Sequence, residues 1–307
     1  MAGKAYRKGI SLIDLHDMFP DDATAEQWFI EQRWPNGIAC VHCGSVAVSE
    51  SNSHPTMPFR CRDCRKFFSV KTNGLMHSSK IGYRKWAFAV YIVTTGIKGT
   101  SSMKLHRDIK VTQKTAWFMA HRIRETYNDH HAPFSGPVEV DETYIGGKEH
   151  NKHESRKTKA GRGPVGKTPV VGMKDRETGR VTATPVEHTD KPTLQDFVKD
   201  GIEDGAKVYT DDAAAYHGLP NHEAVKHSVK EYVHGQAHTN GVESFWAMLK
   251  RGYVGTYHHM SVEHLHRYVN EFAGRHNDRP ADTEVQMSRI VEGMNGKRLR
   301  YRDLIAA

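Results

Sequence analysis

Residues 40–64 read CVHCGSVAVSESNSHPTMPFRCRDC, and this stretch decides how the N-terminal part of the chain folds. It contains two Cys-x-x-Cys pairs, Cys40 with Cys43 and Cys61 with Cys64, separated by seventeen residues. Four thiolates at this spacing can meet tetrahedrally around one zinc ion, because each pair sits on a tight turn. The pattern predicts a structural zinc site in a small module rich in turns.

Composition limits the classes of protein to consider. The 307 residues include 44 Lys and Arg against 36 Asp and Glu, a balance that favours polyanionic partners. No apolar run approaches the length of a membrane span, and the first residues lack the apolar segment of a secretory signal. We therefore expect a cytoplasmic protein with no membrane partner. In that compartment four paired cysteines favour zinc over a disulfide framework.

The pattern along the chain indicates several consecutive parts in a multidomain α/β protein. We divide it into a helical lead-in (1–35), a zinc ribbon (36–72), a helix-turn-helix region (80–128), an α/β domain (136–285) and a C-terminal tail (286–307). Within the α/β domain, residues 148–167 hold seven Lys or Arg and two Glu. This segment is either a solvated insertion or a basic arm that contacts phosphates.

Basic and aromatic side chains alternate around the second cysteine pair. Arg62, Arg65 and Lys66 are candidate DNA contacts at this knuckle. Phe67 and Phe68 lie beside them and suit either base contact or the small apolar core of the module, and the second role is the more common one.

A helix, a short turn and a second helix are predicted between Ser101 and Phe118. Thr112 can cap the second helix, which places Gln113 and Lys114 near its start, where a helix-turn-helix protein contacts the major groove. Helical proteins that bind no nucleic acid contain the same pattern. Arg122 and Arg124 further along are candidate phosphate contacts or surface charges.

Three carboxylates occur in blocks that combine strand or helix with polar turns. Asp141 closes a predicted strand in VEVDETYIGGK, Asp211 closes another in KVYTDDAAAY, and Glu243 opens a helix in HTNGVESFWAMLK. Carboxylate oxygens suit hard divalent cations. Each residue also has an explanation without catalysis: Glu243 can form a capping box with Asn240, and Asp211 with Asp212 can begin a turn.

The order of these blocks behind the cysteine pairs resembles the Merlin-related bacterial insertion-sequence transposases, the ISXO type. The blocks are VDETYIGGK, YTDDAAAY, HTNGVESFWAMLKRGYVGTYHHMS and HRYVNEFAGRHNDR, and the resemblance extends over nearly all of residues 20–285. It implies an RNase H-like DDE catalytic domain behind the zinc ribbon and helix-turn-helix. It also implies a nucleoid-associated protein of bacteria, with double-stranded DNA as its partner: the terminal inverted repeats of a mobile element and its target.

The resemblance also assigns roles to residues. The catalytic, magnesium-binding carboxylates would be Asp141, Asp211 and Glu243, with Asn240 in a supporting position, and Mn²⁺ could replace Mg²⁺. Because two element ends must be paired, we expect a homodimer or a larger assembly.

Other side chains of the last block have less certain roles. Lys250 and Arg251 could hold the DNA backbone near the metals or simply lie on the helix surface. Trp246 is expected in the core rather than as a wedge between bases.

Two other classes of protein share part of this pattern. A non-catalytic regulator built from a zinc ribbon and a helix-turn-helix would account for the charge and the cysteines, but it leaves the carboxylate blocks unexplained. A nuclease on the RNase H-like fold, acting on RNA or on Holliday junctions, would keep the carboxylates and need no modules that recognise element ends.

Overall fold

A computed structural model of the chain describes residues 7–127, 132–147, 149–157, 164–225 and 239–306. The chain divides into two compact units, one drawn from residues 1–128 and 280–307 and the other from residues 129–279. In the described part of the chain, no helix combines the length and the apolar character needed to cross a bilayer.

The first unit begins with helices and a small sheet. Its helices are α1 (Leu12–Met18), α2 (Asp22–Arg33), α3 (Tyr83–Thr95), α4 (Ser102–Ile109) and α5 (Gln113–Arg124), and its strands are β1 (Val48–Glu50), β2 (Phe59–Cys61) and β3 (Phe67–Phe68). The strands pair antiparallel in the order β1-β2-β3. They form the small, turn-rich module expected around the cysteines, and Phe59 and Phe68 are buried in its core.

The two helices predicted after Ser101 are α4 and α5. A turn of three residues joins them, and its first residue, Lys110, has a positive φ of 51°. Thr112 caps α5, because its hydroxyl accepts a hydrogen bond from the backbone amide of Thr115. The prediction of a helix beginning after Thr112 is therefore confirmed.

The prediction that Arg122 and Arg124 are surface charges or phosphate contacts was wrong. Their exposed fractions are 8% and 2%. The guanidinium of Arg122 lies 4.1 Å from the ring centre of Phe118, and its Nε donates to the carbonyl of Leu299. α5 presents both arginines to the interior, where Arg122 binds a backbone carbonyl from the C-terminal part of the chain.

The second unit is built on a mixed sheet. In chain order it contains β4 (Val138–Ile145), β5 (Thr168–Asp175), β6 (Val181–Pro185), α6 (Lys191–Gly201), β7 (Val208–Asp211), β8 (His222–Val225), α7 (Asn240–Gly252) and α8 (Leu265–Asp278). The strand order is β6-β5-β4-β7-β8. β4, β5 and β6 pair antiparallel, whereas β7 runs parallel to β4 and β8 runs parallel to β7.

Alternation along the strands divides the apolar residues of this unit between two cores. Val138 and Val140 of β4 join α6 and residues after β7 in one core. Ile145 lies in the other core, with α7 and α8. Because successive side chains of a strand point to opposite faces, Glu139 and Asp141 lie on the face that α7 covers.

Two strands differ from the sequence predictions. β4 does not end at Asp141 but continues to Ile145, because β5 pairs with it along its whole length. β8 was not predicted, since His222 and Glu223 interrupt any apolar pattern. It forms by pairing with β7, so the neighbouring strand rather than its own composition determines its conformation.

The chain returns to the first unit through α9 (Thr283–Gly293) and α10 (Tyr301–Ile305). Residues 286–307 were predicted to be a C-terminal tail, but Met287 and Ile290 of α9 and Leu304 of α10 are buried in the main apolar core of this unit. The reason is that helical spacing brings these apolar residues onto one face, which packs against α2 and α3.

Replacing Ile290 by alanine should therefore destabilise the first unit by about 2–5 kcal/mol, because it leaves a cavity in the core. Chemical denaturation followed by circular dichroism measures the change. The control is Val285→Ala on the same helix, where the side chain is 44% exposed and the expected effect is within about 0.5 kcal/mol. Equal, small effects of both substitutions would mean that residues 286–307 do not belong to the core.

Candidate functional site

The four cysteines form a site with the geometry of a bound zinc ion. Sγ of Cys40 lies 3.6 Å from Sγ of Cys64, and Sγ of Cys43 lies 3.7 Å from Sγ of Cys61. All four sulfur atoms are within 4.8 Å of one another. Zn–S bonds of about 2.3 Å in a tetrahedron place sulfur atoms roughly 3.8 Å apart. The donor set and its spacing therefore fit structural zinc.

The two cysteine pairs adopt equivalent turns. Gly44 follows the first pair with φ of 77°, and Arg65 follows the second pair with φ of 60°. The amide of Cys40 donates to the carbonyl of Ser45, and the amide of Cys61 donates to the carbonyl of Lys66. Each turn thus closes with the same backbone hydrogen bond, which brings its two sulfur atoms to one side.

The basic residues of the second knuckle are separated from its aromatic core. Arg62, Arg65 and Lys66 are exposed, as a DNA contact requires. Phe68 is fully buried, and Phe67 is half-buried, with the guanidinium of Arg60 lying 5.4 Å from its ring centre. Of the two roles predicted for the phenylalanines, Phe68 therefore has the one in the apolar core of the module.

Asp141 and Asp211 lie on neighbouring parallel strands of the second unit. β4 pairs with β7 at Val138 with Val208 and at Glu139 with Tyr209. Continuing this register by two residues puts Asp141 level with Asp211. Paired residues of parallel strands point to the same face, so both carboxylates face α7.

Burial and neighbouring acids change the acidity of Asp141. Burial, together with the charges of Glu142 and Asp211, raises the pKa of Asp141 to about 7. Glu243 on α7 acts in the same direction. Asp141 therefore lies close enough to the other two predicted carboxylates, Asp211 and Glu243, for both of their charges to act on it. The oxygens of the three carboxylates are not all within 4.8 Å, since among the described residues only the cysteines meet that condition.

The start of α7 positions Glu243 by a mechanism that the sequence analysis did not anticipate. Thr239 precedes the helix, and its hydroxyl donates to Oε1 of Glu243 at 3.1 Å. The capping box proposed between Asn240 and Glu243 was wrong, because Asn240 is already the first residue of the helix. The amide of Val242 instead donates to Oε2 of Glu139 on β4, at 3.0 Å.

Glu139 is a residue that sequence reasoning missed. It is only 2% exposed, and its second oxygen accepts from Nε of Arg176 at 2.9 Å. An added Cβ on Gly241 would come within 2.6 Å of Oε2 of Glu139, so the glycine permits the close approach. The available signal was a glutamate between Val138 and Val140, two residues before Asp141 and on the same face of the strand.

Trp246 connects α7 to the first aspartate. Its indole Nε1 donates to Oδ2 of Asp141 at 3.1 Å, and its side chain is 3% exposed. The ring lies over Gly172 of β5, where an added Cβ would come within 2.6 Å of it. The expectation that Trp246 belongs to the core is confirmed, and its indole also orients Asp141.

The remaining predicted contacts are exposed side chains. Lys250 and Arg251 lie in the last turn of α7, and Asn240 is exposed at its first residue. In the first unit, Nε2 of Gln113 donates to the hydroxyl of Ser102 at 2.9 Å, and Nζ of Lys114 lies 4.5 Å from the ring centre of Tyr301. Each of these two predicted DNA contacts thus also has a partner within the first unit.

The basic segment 148–167 is described only in part. Residues 148 and 158–163 lie outside the described residues, so its role as insertion or arm stays a prediction. Within the described part, Lys152 pairs with Glu149 and Lys157 pairs with Glu154.

Comparison with known proteins finds a family match within each unit. The sequence pattern of the transposase zinc-ribbon domain matches residues 20–67, and that of the ISXO2-like transposase domain matches residues 133–277. The chain is also 29% identical over 269 residues to an uncharacterised protein in transposable element ISH50 of Halobacterium salinarum. That alignment covers 83% of this chain and 90% of the relative.

The chain belongs to the insertion-sequence transposases with an N-terminal zinc ribbon. The zinc ribbon matched in this transposase contains Cys40, Cys43, Cys61 and Cys64, and the ISXO2-like domain contains β4 to α8. All three carboxylates discussed above lie in the second matched region. The resemblance inferred from the sequence blocks is confirmed.

Removal of zinc from this transposase should unfold the module between residues 36 and 72, because so few residues cannot bury enough apolar surface without the metal. After chelation, trypsin should cleave at Arg60, Arg62 and Lys66, where the folded backbone of the zinc-loaded module should slow cleavage. Zinc content measured by mass spectrometry should be one ion per chain. Cys43→Ser should lower this content well below one, and Ser53→Ala should not. An unchanged trypsin pattern after full zinc loss would contradict the conclusion that zinc holds this module folded.

The pKa of Asp141 predicts a dependence of stability on pH without magnesium. The pKa of Asp141 is about 7 in the folded chain, against 3.8 for an ordinary aspartate. The stability that comes from its proton is therefore fully present below about pH 4 and is lost as the pH rises through 7. Asp141→Asn removes this loss while keeping an acceptor for Trp246. We expect its melting temperature at pH 8 to exceed that of the wild type by roughly 3–10 °C.

Differential scanning calorimetry in magnesium-free buffer between pH 4 and pH 8 measures the effect. Asp212→Asn is the matched control, because Asp212 is an exposed neighbour and its substitution should follow the wild-type profile. If the melting temperatures of Asp141→Asn and the wild type change with pH in the same way, the raised pKa of Asp141 is refuted.

Proposed function

We propose that this insertion-sequence transposase is a DDE enzyme that binds terminal inverted repeats and performs magnesium-dependent DNA cleavage and strand transfer. The observation that carries the proposal is that Asp141 lies level with Asp211 on the face of the sheet that α7 covers, and that the charges of Asp211 and Glu243 both raise the pKa of Asp141. Acids that repel one another in this way are stabilised when a cation binds between them.

The topology of the second unit supports an RNase H-like catalytic domain. That fold has a five-stranded mixed sheet in which three antiparallel strands are followed by two parallel ones, with the first strand in the centre. The order β6-β5-β4-β7-β8 agrees with it. In this arrangement the first aspartate belongs to the central strand and the second to the next parallel strand.

Asp141, Asp211 and Glu243 are the residues that would hold magnesium. Their donors are carboxylate oxygens, which Mg²⁺ prefers, and one oxygen of Asp141 is already oriented by Trp246. Two bound Mg²⁺ ions would activate the attacking oxygen and stabilise the leaving oxygen of a phosphodiester. The hydroxyl of Thr239 orients Glu243 toward this face, as a residue supporting a metal ligand should.

The proposed reaction has two successive displacements at phosphorus. In the first, a water oxygen bonds to the phosphorus at the element's end, and the bond from phosphorus to the 3′ oxygen breaks. In the second, this freed 3′ hydroxyl bonds to a phosphorus of target DNA and displaces the 3′ oxygen of the target strand. Neither step requires a covalent bond to the protein, so the chain acts by holding and aligning the strands.

DNA recognition is assigned to exposed basic and polar side chains. Arg62, Arg65 and Lys66 on the zinc ribbon contact the inverted repeat. Gln113 and Lys114, which are exposed at the start of α5, would approach a major groove. Lys250 and Arg251 hold the backbone near the carboxylates. Pairing of two element ends requires at least a dimer of the chain.

A cleavage and joining assay tests the proposal. The protein is incubated with Mg²⁺, a labelled duplex carrying the element's terminal inverted repeat and a supercoiled target plasmid, and nicked and joined products are separated on denaturing gels. Asp141→Asn, Asp211→Asn and Glu243→Gln should each lower the rate by at least about 100-fold, since loss of a ligand exceeds the 10–100-fold cost of losing its support. Binding of the duplex without magnesium should be retained.

Asp212→Asn provides the matched control, because it removes one carboxylate next to Asp211 from an exposed position. It should retain activity within a few-fold of the wild type. A wild type that binds but neither nicks nor joins DNA would indicate a non-catalytic regulator. Cleavage without any joined product would indicate a nuclease, and either result would refute the proposal.

A further inference from the structure

The segment from Gly296 to Arg302 leads from the end of α9 into the first turn of α10 and lies along α5. Lys297 donates to the carbonyl of Glu125 at 3.2 Å, beyond the end of α5. At the other end of the segment, the ring centre of Tyr301 lies 5.5 Å from that of Phe118 and 4.5 Å from Nζ of Lys114. The segment therefore runs back along α5, from beyond its C-terminal end to its first turn.

The segment has an inner and an outer edge. Leu299 is buried, Tyr301 is half-buried, and the carbonyl of Leu299 accepts from Nε of Arg122. The residues that alternate with them are exposed, and all three are arginines: Arg298, Arg300 and Arg302. Arg298, Leu299 and Arg300 precede α10, where side chains alternate between the two sides of an extended backbone, and Arg302 is exposed in the first turn of α10. The inner edge attaches the segment to α5, which leaves the three guanidinium groups facing solvent.

Positive charge is concentrated around this edge. Burial, together with the nearby charge of Arg298, lowers the pKa of Arg122 to about 10. Burial also lowers the pKa of His77, again with contributions from Arg298 and Arg122. Acidic charge at the edge comes from Asp303, which pairs with Arg300 at 2.8 Å and lies 3.7 Å from Arg302. Such exposed pairs are weak, so a phosphate can replace the carboxylate.

We propose that Arg298, Arg300 and Arg302 form a C-terminal arm that binds the phosphate backbone of duplex DNA beside α5. The proposal rests on the proposed function, in which the start of α5 approaches the DNA. The arm ends at Lys114, the second residue of α5, so a duplex that meets this end of the helix also meets the arm. Because the contacts are to phosphates, the arm adds affinity and orientation without reading sequence.

The salt dependence of DNA binding tests the arm. Each phosphate neutralised by the protein contributes about 0.9 to the slope of log K against log salt concentration. Arg298→Gln should reduce the slope by about 0.9, and Arg298→Gln with Arg300→Gln and Arg302→Gln should reduce it by about 2 to 3. The loss should be the same on an inverted-repeat duplex and on a scrambled duplex. Fluorescence anisotropy between 50 and 300 mM NaCl measures both.

Two further variants accompany this test: one removes a positive charge away from the arm, and the other removes a negative charge from it. Lys8 is exposed and lies at the other end of α9, where its amide donates to Asp282. Lys8→Gln should leave the slope unchanged. Asp303→Asn removes the carboxylate that competes with phosphate and should tighten binding at low salt. Melting temperatures within about 2 °C of the wild type would show that the variants fold.

The outcomes separate the arm from the function on which it rests. If the wild type cleaves inverted repeats but the triple variant keeps the wild-type slope, the arm is refuted and the transposase proposal stands. If the triple variant loses slope on both duplexes while the wild type cleaves neither, the arm stands and the transposase proposal fails. A triple variant that binds DNA more tightly would mean that the arginines cover the DNA-binding surface, which also refutes the arm.

Discussion

The buried carboxylate of Glu139 determines where α7 begins, and the arrangement of the candidate site depends on that point. The carboxylate accepts from the amide of Val242 and from Arg176, so it satisfies a helix terminus and an ion pair at once. An unpaired charge at 2% exposure would be costly, which makes both partners necessary. With α7 held in this way, Glu243 comes close enough to Asp141 to affect its pKa.

The two candidate metal centres illustrate different ways of bringing ligands together. The cysteines lie within 25 residues, and two equivalent turns with Gly44 and Arg65 at positive φ are enough to aim their sulfur atoms. Asp141 and Glu243 are separated by about 100 residues of sequence. Sheet register aligns Asp141 with Asp211, and the packing of Trp246 over Gly172 sets the helix against them. The zinc site is therefore local, whereas the carboxylates require the whole second unit.

Buried arginines show how charge along the sequence differs from charge at the surface. Arg122 and Arg124 read as surface residues of a basic helix, yet both are buried. Arg122 binds the carbonyl of Leu299, and so holds against α5 a segment from the other end of the chain. The exposed positive charge beside this helix comes instead from Arg298 and the arginines that follow. Sequence position alone did not associate these residues with α5, because their contacts are long-range.

The amino-acid sequence by itself determined the elements whose signals are local. The cysteine spacing predicted the zinc site, Thr112 predicted the start of α5, and the carboxylate blocks indicated the family. Only the tertiary structure decided that β4 extends past Asp141, that β8 is a strand and that residues 286–307 pack into the core. The same holds for Glu139, whose role depends on Val242 and Arg176. Local signals act through turns and caps of a few residues, whereas these features come from pairing and burial between distant segments, whose partners no short stretch of sequence specifies.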